Sequence, residues 1–85
     1  MPVTVYVLEA LATGKRYVGI TGDLERRLAE HRAKQTKGAQ ILGEFKLIYT
    51  GTYPNYEAAR AREKFLKSGR GCAWLLTVVG RVRPA

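Results

Sequence analysis

Residues 3–8, Val-Thr-Val-Tyr-Val-Leu, are dense in Val and Tyr and are bounded by Pro2 and a polar stretch from Glu9 to Lys15, which predicts a strand followed by a loop. Ala12-Thr13-Gly14-Lys15 supplies the turn, and residues 16–20 form a second β-prone run. The two make an antiparallel hairpin with a somewhat long connection. Alternation puts Tyr6 with Thr4 and Leu8 on one face of the first strand, and Tyr17 with Gly19 on one face of the second. Gly19, lacking a side chain, would let a ligand backbone or a metal shell come close.

Thr21-Gly22-Asp23 reads as a loop ending in an N-cap, since the Asp23 carboxylate can accept from the open amides of a first helical turn. The spacing predicts a helix from Leu24 to about Lys34, with Leu24, Leu28 and either Ala29 or His31 inward and Arg26, Glu30 and Arg32 more outward. Arg27 and His31, four apart, share a side. Lys34 to Gly43 is polar and glycine-containing and reads as a mobile basic loop. Phe45 to Tyr53 predicts a third strand, broken by Pro54-Asn55. Tyr56 to Ser68 predicts a second helix, capped by Asn55, buried through Ala58, Ala61, Phe65 and Leu66, and stopped by Gly69. Ala73 to Val79 fits a short helix or a strand equally well. The pattern as a whole is α+β: one small domain over residues 1–85, with no internal repeat.

Composition narrows the partner. Fifteen Lys and Arg against seven Asp and Glu leave a net charge of +8. A polyanion is the natural ligand, because cationic side chains that neutralise phosphates release condensed counterions. The plainer alternatives are a surface that aids solubility or binds acidic lipid. At 85 residues the core must be small, since a domain near this size buries only about 60% of its unfolded surface. Cys72 is the sole cysteine, which excludes an intrachain disulfide and a multi-cysteine zinc site and points to a reducing, cytoplasmic location. Met1-Pro2-Val3-Thr4 has no signal-peptide pattern, and the longest apolar stretch, Cys72 to Val79, is far below the ~20 residues of a spanning helix, so no membrane is expected.

Five residues carry candidate chemistry. Tyr6 and Tyr17, on neighbouring strands, can present two phenols side by side. The helix that follows can add the Arg27 guanidinium and the His31 imidazole. Glu63, on the second helix among Arg60, Arg62, Lys64 and Lys67 and on a face with Ala59 and Leu66, is the carboxylate suited to a hard divalent cation, which needs one or two carboxylates, waters and substrate oxygens. Each residue has a plainer reading. Strand tyrosines commonly pack, a lone helix histidine can sit at a surface, and Glu63 at helical spacing can simply pair with Arg60 or Lys67.

In order and spacing, Tyr6, Tyr17-Val18-Gly19, Thr21, Asp23-Leu24, Arg27, His31 and then Glu63 in a Glu-Lys-Phe-Leu-Lys-Ser-Gly segment resemble the GIY-YIG endonuclease superfamily, and within it the small single-domain branch. The likeness covers residues 3 to about 76, and the ten-residue step from Tyr17 to Arg27 matches the family spacing. Thr4-Val5-Tyr6 stands where the family has Gly-Ile-Tyr. Many members carry an Asn after the glutamate helix; Gly69 to Ala73 has none, as in much of the small branch.

The resemblance implies a three-stranded antiparallel sheet flanked by helices and a one-metal, Mg²⁺- or Mn²⁺-dependent hydrolysis of DNA, leaving 5′-phosphate and 3′-hydroxyl ends. Glu63 would hold the metal, Arg27 would stabilise phosphate charge, and Tyr6 and Tyr17 would line the site, with Tyr17, Tyr6 or His31 as the base. Lys15, Arg16, Lys34, Lys37, Lys46, Lys67 and Arg70 would contact the DNA backbone, which positions a substrate without reading its sequence. The expected substrate is double-stranded or branched DNA, cut with structural selectivity or weak specificity, in repair or recombination. The alternative is a catalytically weak nucleic-acid-binding module acting with a partner protein. A third reading is a protein-interaction domain docking through the apolar Cys72 to Val79 tail.

Overall fold

The computed structural model describes residues 2–33 and 43–78. Strands β1 (Val3–Ala10), β2 (Arg16–Thr21) and β3 (Phe45–Tyr53) form one antiparallel sheet in the order β2-β1-β3, and helices α1 (Leu24–Arg32), α2 (Tyr56–Lys67) and α3 (Gly69–Val78) cover it. The α+β architecture with a three-stranded antiparallel sheet is the one the family resemblance implies.

β1 is the central strand and is buried on both faces. Val5 and Val7 point to one side, where Ala59 and Leu66 of α2 and Leu75 of α3 meet them. Tyr6 and Leu8 point to the other, where Leu28 of α1 closes over them. Two small cores therefore sit back to back across one sheet. The first is extended by Arg62, whose guanidinium stacks 4.7 Å from the Phe65 ring centroid and 4.4 Å from that of Trp74.

The chain differs from its sequence pattern in several places. β1 continues through Glu9 and Ala10, expected in the loop, because Glu9 finds cations on both neighbouring strands: Arg16 at 3.3 Å and Lys46 at 4.0 Å. The hairpin then turns through Gly14, whose positive φ of 75° suits glycine. β3 spans its predicted residues but carries a bulge opposite Val7 and Leu8, so that Tyr49 pairs with Val7 and Leu47 with Leu8. The extra residue, Ile48, reverses the facing of what lies beyond it. Tyr49 and Ile48 join the α2 side, and Phe45 joins the α1 side.

Both predicted caps form: the Asp23 carboxylate accepts from Arg26 N at 3.2 Å, and the Asn55 side chain accepts from Ala58 N at 2.9 Å. α1 ends at Arg32, with Ala33 as its C-cap. The basic loop expected from Lys34, with Lys34 and Lys37, lies at 34–42 outside the described residues. The inward stripe of α2 is Ala59, Glu63 and Leu66; Ala61 is exposed, and Ala58 and Phe65 are only partly covered. α2 stops at Ser68, in extended conformation, and not at Gly69. The Ser68 hydroxyl donates to the Phe65 carbonyl and accepts from Gly71 N, so one side chain closes α2 and opens α3. Gly69 starts that helix, which makes the apolar segment helical as far as Val78. No helix among the described residues is long and apolar enough to cross a membrane.

α2 and α3 touch at Gly71, where an added Cβ would overlap the Phe65 carbonyl oxygen and lie 2.6 Å from Leu66 Cα. Backbone cannot rotate away as a side chain can. Gly71→Ala should lower the unfolding free energy by about 2 kcal/mol or more, within the range for overpacking, whereas Gly69→Ala, with open space around it, should stay within about 0.5 kcal/mol of wild type. Urea denaturation of the two variants checks this.

Candidate active site

Tyr6 on β1 pairs with Gly19 on β2, and Leu8 with Tyr17, so both phenols rise from the α1 face one register step apart. His31, in the last turn of α1, comes down between them. Its Nε2 lies 3.2 Å from Tyr6 Oη, a buried hydrogen bond. The His31 ring stands edge-on to Tyr17 at 5.1 Å and to Phe45 at 5.8 Å between centroids, and the two phenol rings are 6.3 Å apart. Tyr6 and His31 are 1% exposed, while Tyr17 is partly open. Tyr17 is thus the outer member of the cluster.

Gly19 provides the room for this arrangement. A Cβ there would overlap the Tyr6 hydroxyl and lie 2.5 Å from Cζ. The space expected to admit a ligand backbone or a metal shell is instead filled by the Tyr6 phenol. To swing aside, the ring must give up its hydrogen bond to His31.

Burial sets the protonation of this cluster. Loss of water pushes the Tyr6 phenol up to about 12, with Tyr17 adding to the rise and the Arg27 guanidinium opposing it. Burial, assisted by Arg27 and opposed by Glu30, lowers the His31 imidazole from its ordinary 6.5. At neutral pH the pair is therefore a protonated phenol and a neutral imidazole. Arg27 acts on both, stands one turn before His31, and pairs with Glu30 at 3.3 Å. It lines a pocket of about 340 Å³ with Thr21, Gly22, Asp23, Arg26 and Glu30.

Glu63 belongs to the other layer. It lies on α2, which packs on the Val5 and Val7 face, with Ala59 and Leu66 on its buried stripe. Its Oε1 accepts from Arg60 Nη1 at 3.2 Å and its Oε2 from Lys67 Nζ at 3.0 Å. The edge strand β2 is where the two layers approach each other. Tyr17, Val18, Arg16, Leu66, Lys67, Cys72 and Leu75 line a groove of about 280 Å³ there, so the cation bonded to Glu63 and the outer phenol share a wall.

Tyr6, Tyr17 and His31 are thus brought into contact and Arg27 acts on two of them, whereas Glu63 lies in the other layer and is linked to the Tyr17 groove through its partner Lys67. Of the expected backbone contacts, Arg16 and Lys46 are paired with Glu9 and Lys67 with Glu63. Phe45, against His31, and Glu30, paired with Arg27, also touch this cluster and were not expected there. The (i, i+3) spacing of Arg27 and Glu30 is a usable signal for the second; the bulge hides the first. Among the described residues no group of three or more His, Cys, Asp and Glu can hold a metal ion. An all-protein cage is therefore not offered, but Glu63 with waters and substrate oxygens fits the habit of Mg²⁺.

A family model described as the GIY-YIG catalytic domain matches residues 2–71. The chain belongs to the GIY-YIG family. Its fold is similar to the solution NMR structure of the UPF0213 protein BH0048 from Bacillus halodurans, with 32% identity, a TM-score of 0.58, and coverage of 94% of this chain and 87% of that one. A comparison with curated proteins gave no match. The tyrosine, arginine, histidine and glutamate positions of the resemblance all fall inside the matched segment.

The imidazole makes stability depend on pH. Because burial lowers His31 below 6.5, the unfolded chain takes up that proton first as pH falls, and the folded form loses stability on the acid side of 6.5. Tyr6 acts in the opposite sense: stability falls as pH rises above 10 toward about 12. Urea midpoints between about pH 7 and pH 5 should decline in wild type and flatten in His31→Phe, which removes the titrating ring.

Proposed function

We propose that this GIY-YIG domain is a divalent-cation-dependent endonuclease that hydrolyses DNA phosphodiesters. The observation that carries the reading is the Tyr6–His31–Tyr17 cluster, with Arg27 acting on its two buried members. Arg27 is the group for phosphate charge, being 39% exposed and planar enough to take two oxygens. Electrostatic stabilisation of the reacting phosphoryl group is the largest expected contribution. A bound Mg²⁺ or Mn²⁺, held by Glu63, would supply Lewis-acid polarisation of the phosphate and the leaving oxygen.

Proton handling falls to Tyr17 and His31. His31 is neutral, and in the tautomer whose Nε2–H donates to Tyr6 Oη its Nδ1 can accept a proton; Tyr6, which keeps its proton up to about 12, serves best to hold the imidazole in place. Tyr17 is the phenol a substrate would meet. Lys15, Arg16, Lys46, Lys67 and Arg70 are proposed backbone contacts, which fit a substrate recognised by shape: nicked, flapped or branched duplex in repair or recombination in the cytoplasm.

One observation favours the second reading, a binding module with little activity. Both oxygens of Glu63 already accept from cations, as in an ordinary helix ion-pair network. The deciding experiment incubates supercoiled, linear, single-stranded and branched DNA with the protein, with Mg²⁺ or Mn²⁺ and with a chelator. Metal-dependent cutting is expected, lost in Glu63→Gln and reduced by about 10²-fold or more in Arg27→Ala. Tyr17→Phe should slow cutting while leaving DNA affinity little changed; an unchanged rate removes Tyr17 from the chemistry. Salt-sensitive binding without cutting of any of these substrates would establish the module instead.

A further inference from the structure

The ion pairs on Glu63 are asymmetric. The Glu63 side chain is 10% exposed, whereas those of Arg60 and Lys67 are 51% and 56% exposed. The carboxylate is fixed on the buried stripe of α2; its two cations reach it from solvent on long flexible stems. A divalent cation approaching those oxygens meets two positive charges already in contact with them, so it can take Glu63 only as they withdraw. A phosphodiester offers these cations another partner, since guanidinium and ammonium groups both bind phosphate oxygens well. Lys67 already lines the groove beside Tyr17 and Arg16.

We propose that Arg60 and Lys67 form an exchangeable cap on Glu63 that couples cation binding to DNA binding. A DNA phosphate draws the cap off the carboxylate, and the exposed carboxylate then accepts the cation. The proposal rests on the reading of Glu63 as the cation ligand. Coupling of this kind is reciprocal: DNA raises cation affinity by the factor by which the cation raises DNA affinity.

The test measures free Mn²⁺ by electron paramagnetic resonance during titration of the folded protein without DNA. Lys67→Met should bind Mn²⁺ at least ~5-fold more tightly than wild type, in the usual range of coupling factors, and Arg60→Met should move the same way. Lys64→Met removes an exposed cation of the same helix that has no bond to Glu63, and should change affinity much less. In parallel, the anisotropy of a labelled duplex, verified uncut on a gel, should report tighter DNA binding with Ca²⁺ than with chelator, by a factor that shrinks in Lys67→Met. Equal effects of Lys64→Met and Lys67→Met would reduce the cap to general charge and overturn the proposal. A separate outcome bears on the reading beneath it: if Glu63→Gln keeps wild-type Mn²⁺ affinity, Glu63 is not the ligand, and both fall.

Discussion

Two-sided burial of one strand is the constraint on which the rest of this small domain depends. Val5, Val7 and Leu8 are 0% exposed and Tyr6 is 1% exposed, so every position along the middle of β1 is spoken for. Full burial of such side chains contributes roughly 1.5–3 kcal/mol each, a large share of what a domain this size can gather. Because alternate residues go to opposite layers, the helices must divide between the faces, α1 to one and the α2–α3 pair to the other. The site follows from that division. The candidate phenols and imidazole lie in the α1 layer and the Glu63 carboxylate in the α2 layer, and at the β2 edge Tyr17 and Lys67, the partner of Glu63, line one groove.

Much of this arrangement was legible in local chemistry. The β-prone runs at residues 3–8, 16–20 and 45–53, the Asp23 and Asn55 caps, and the shared side of Arg27 and His31 all follow from rules acting over a few residues. What was not legible depends on partners distant in sequence. Nothing near Glu9 says that it will lie between Arg16 and Lys46, so the strand looked two residues shorter than it is. Nothing near Ile48 announces a bulge, yet the bulge alone decides that Phe45 meets His31 and not Trp74. The stripe of α2 was misplaced because charged Glu63 occupies a position that an apolar residue would have marked. Gly69 looked like a stop because glycine often follows a helix, whereas the Ser68 hydroxyl makes the break.

Charge is organised by one recurring arrangement. Glu9 and Glu63, both buried, each bind two cations that remain more exposed than the carboxylate. Much of the +8 surface is therefore tethered: Arg16, Lys46, Arg60 and Lys67 are held at fixed places along the sheet and α2, and Arg26 and Arg27 lean on Glu30. The exposed Arg26–Glu30 pair adds little stability, since such pairs are typically worth under about 1 kcal/mol, and around Glu9 and Glu63 the paired cations chiefly offset the cost of burying a carboxylate. Their effect is positional: cations that would otherwise sample many rotamers are presented in order to an incoming polyanion.

The Tyr6 ring rests against bare Gly19, which ties the two positions together. The two motifs that give the family its name are read as separate signatures on separate strands, but here the tyrosine of one and the glycine of the other occupy a single steric volume. Neither can be exchanged alone: a side chain at position 19 evicts the phenol, and a smaller residue at position 6 leaves a hole beside His31. The two positions therefore act as one steric unit written in two places, and a change at either calls for a change at the other.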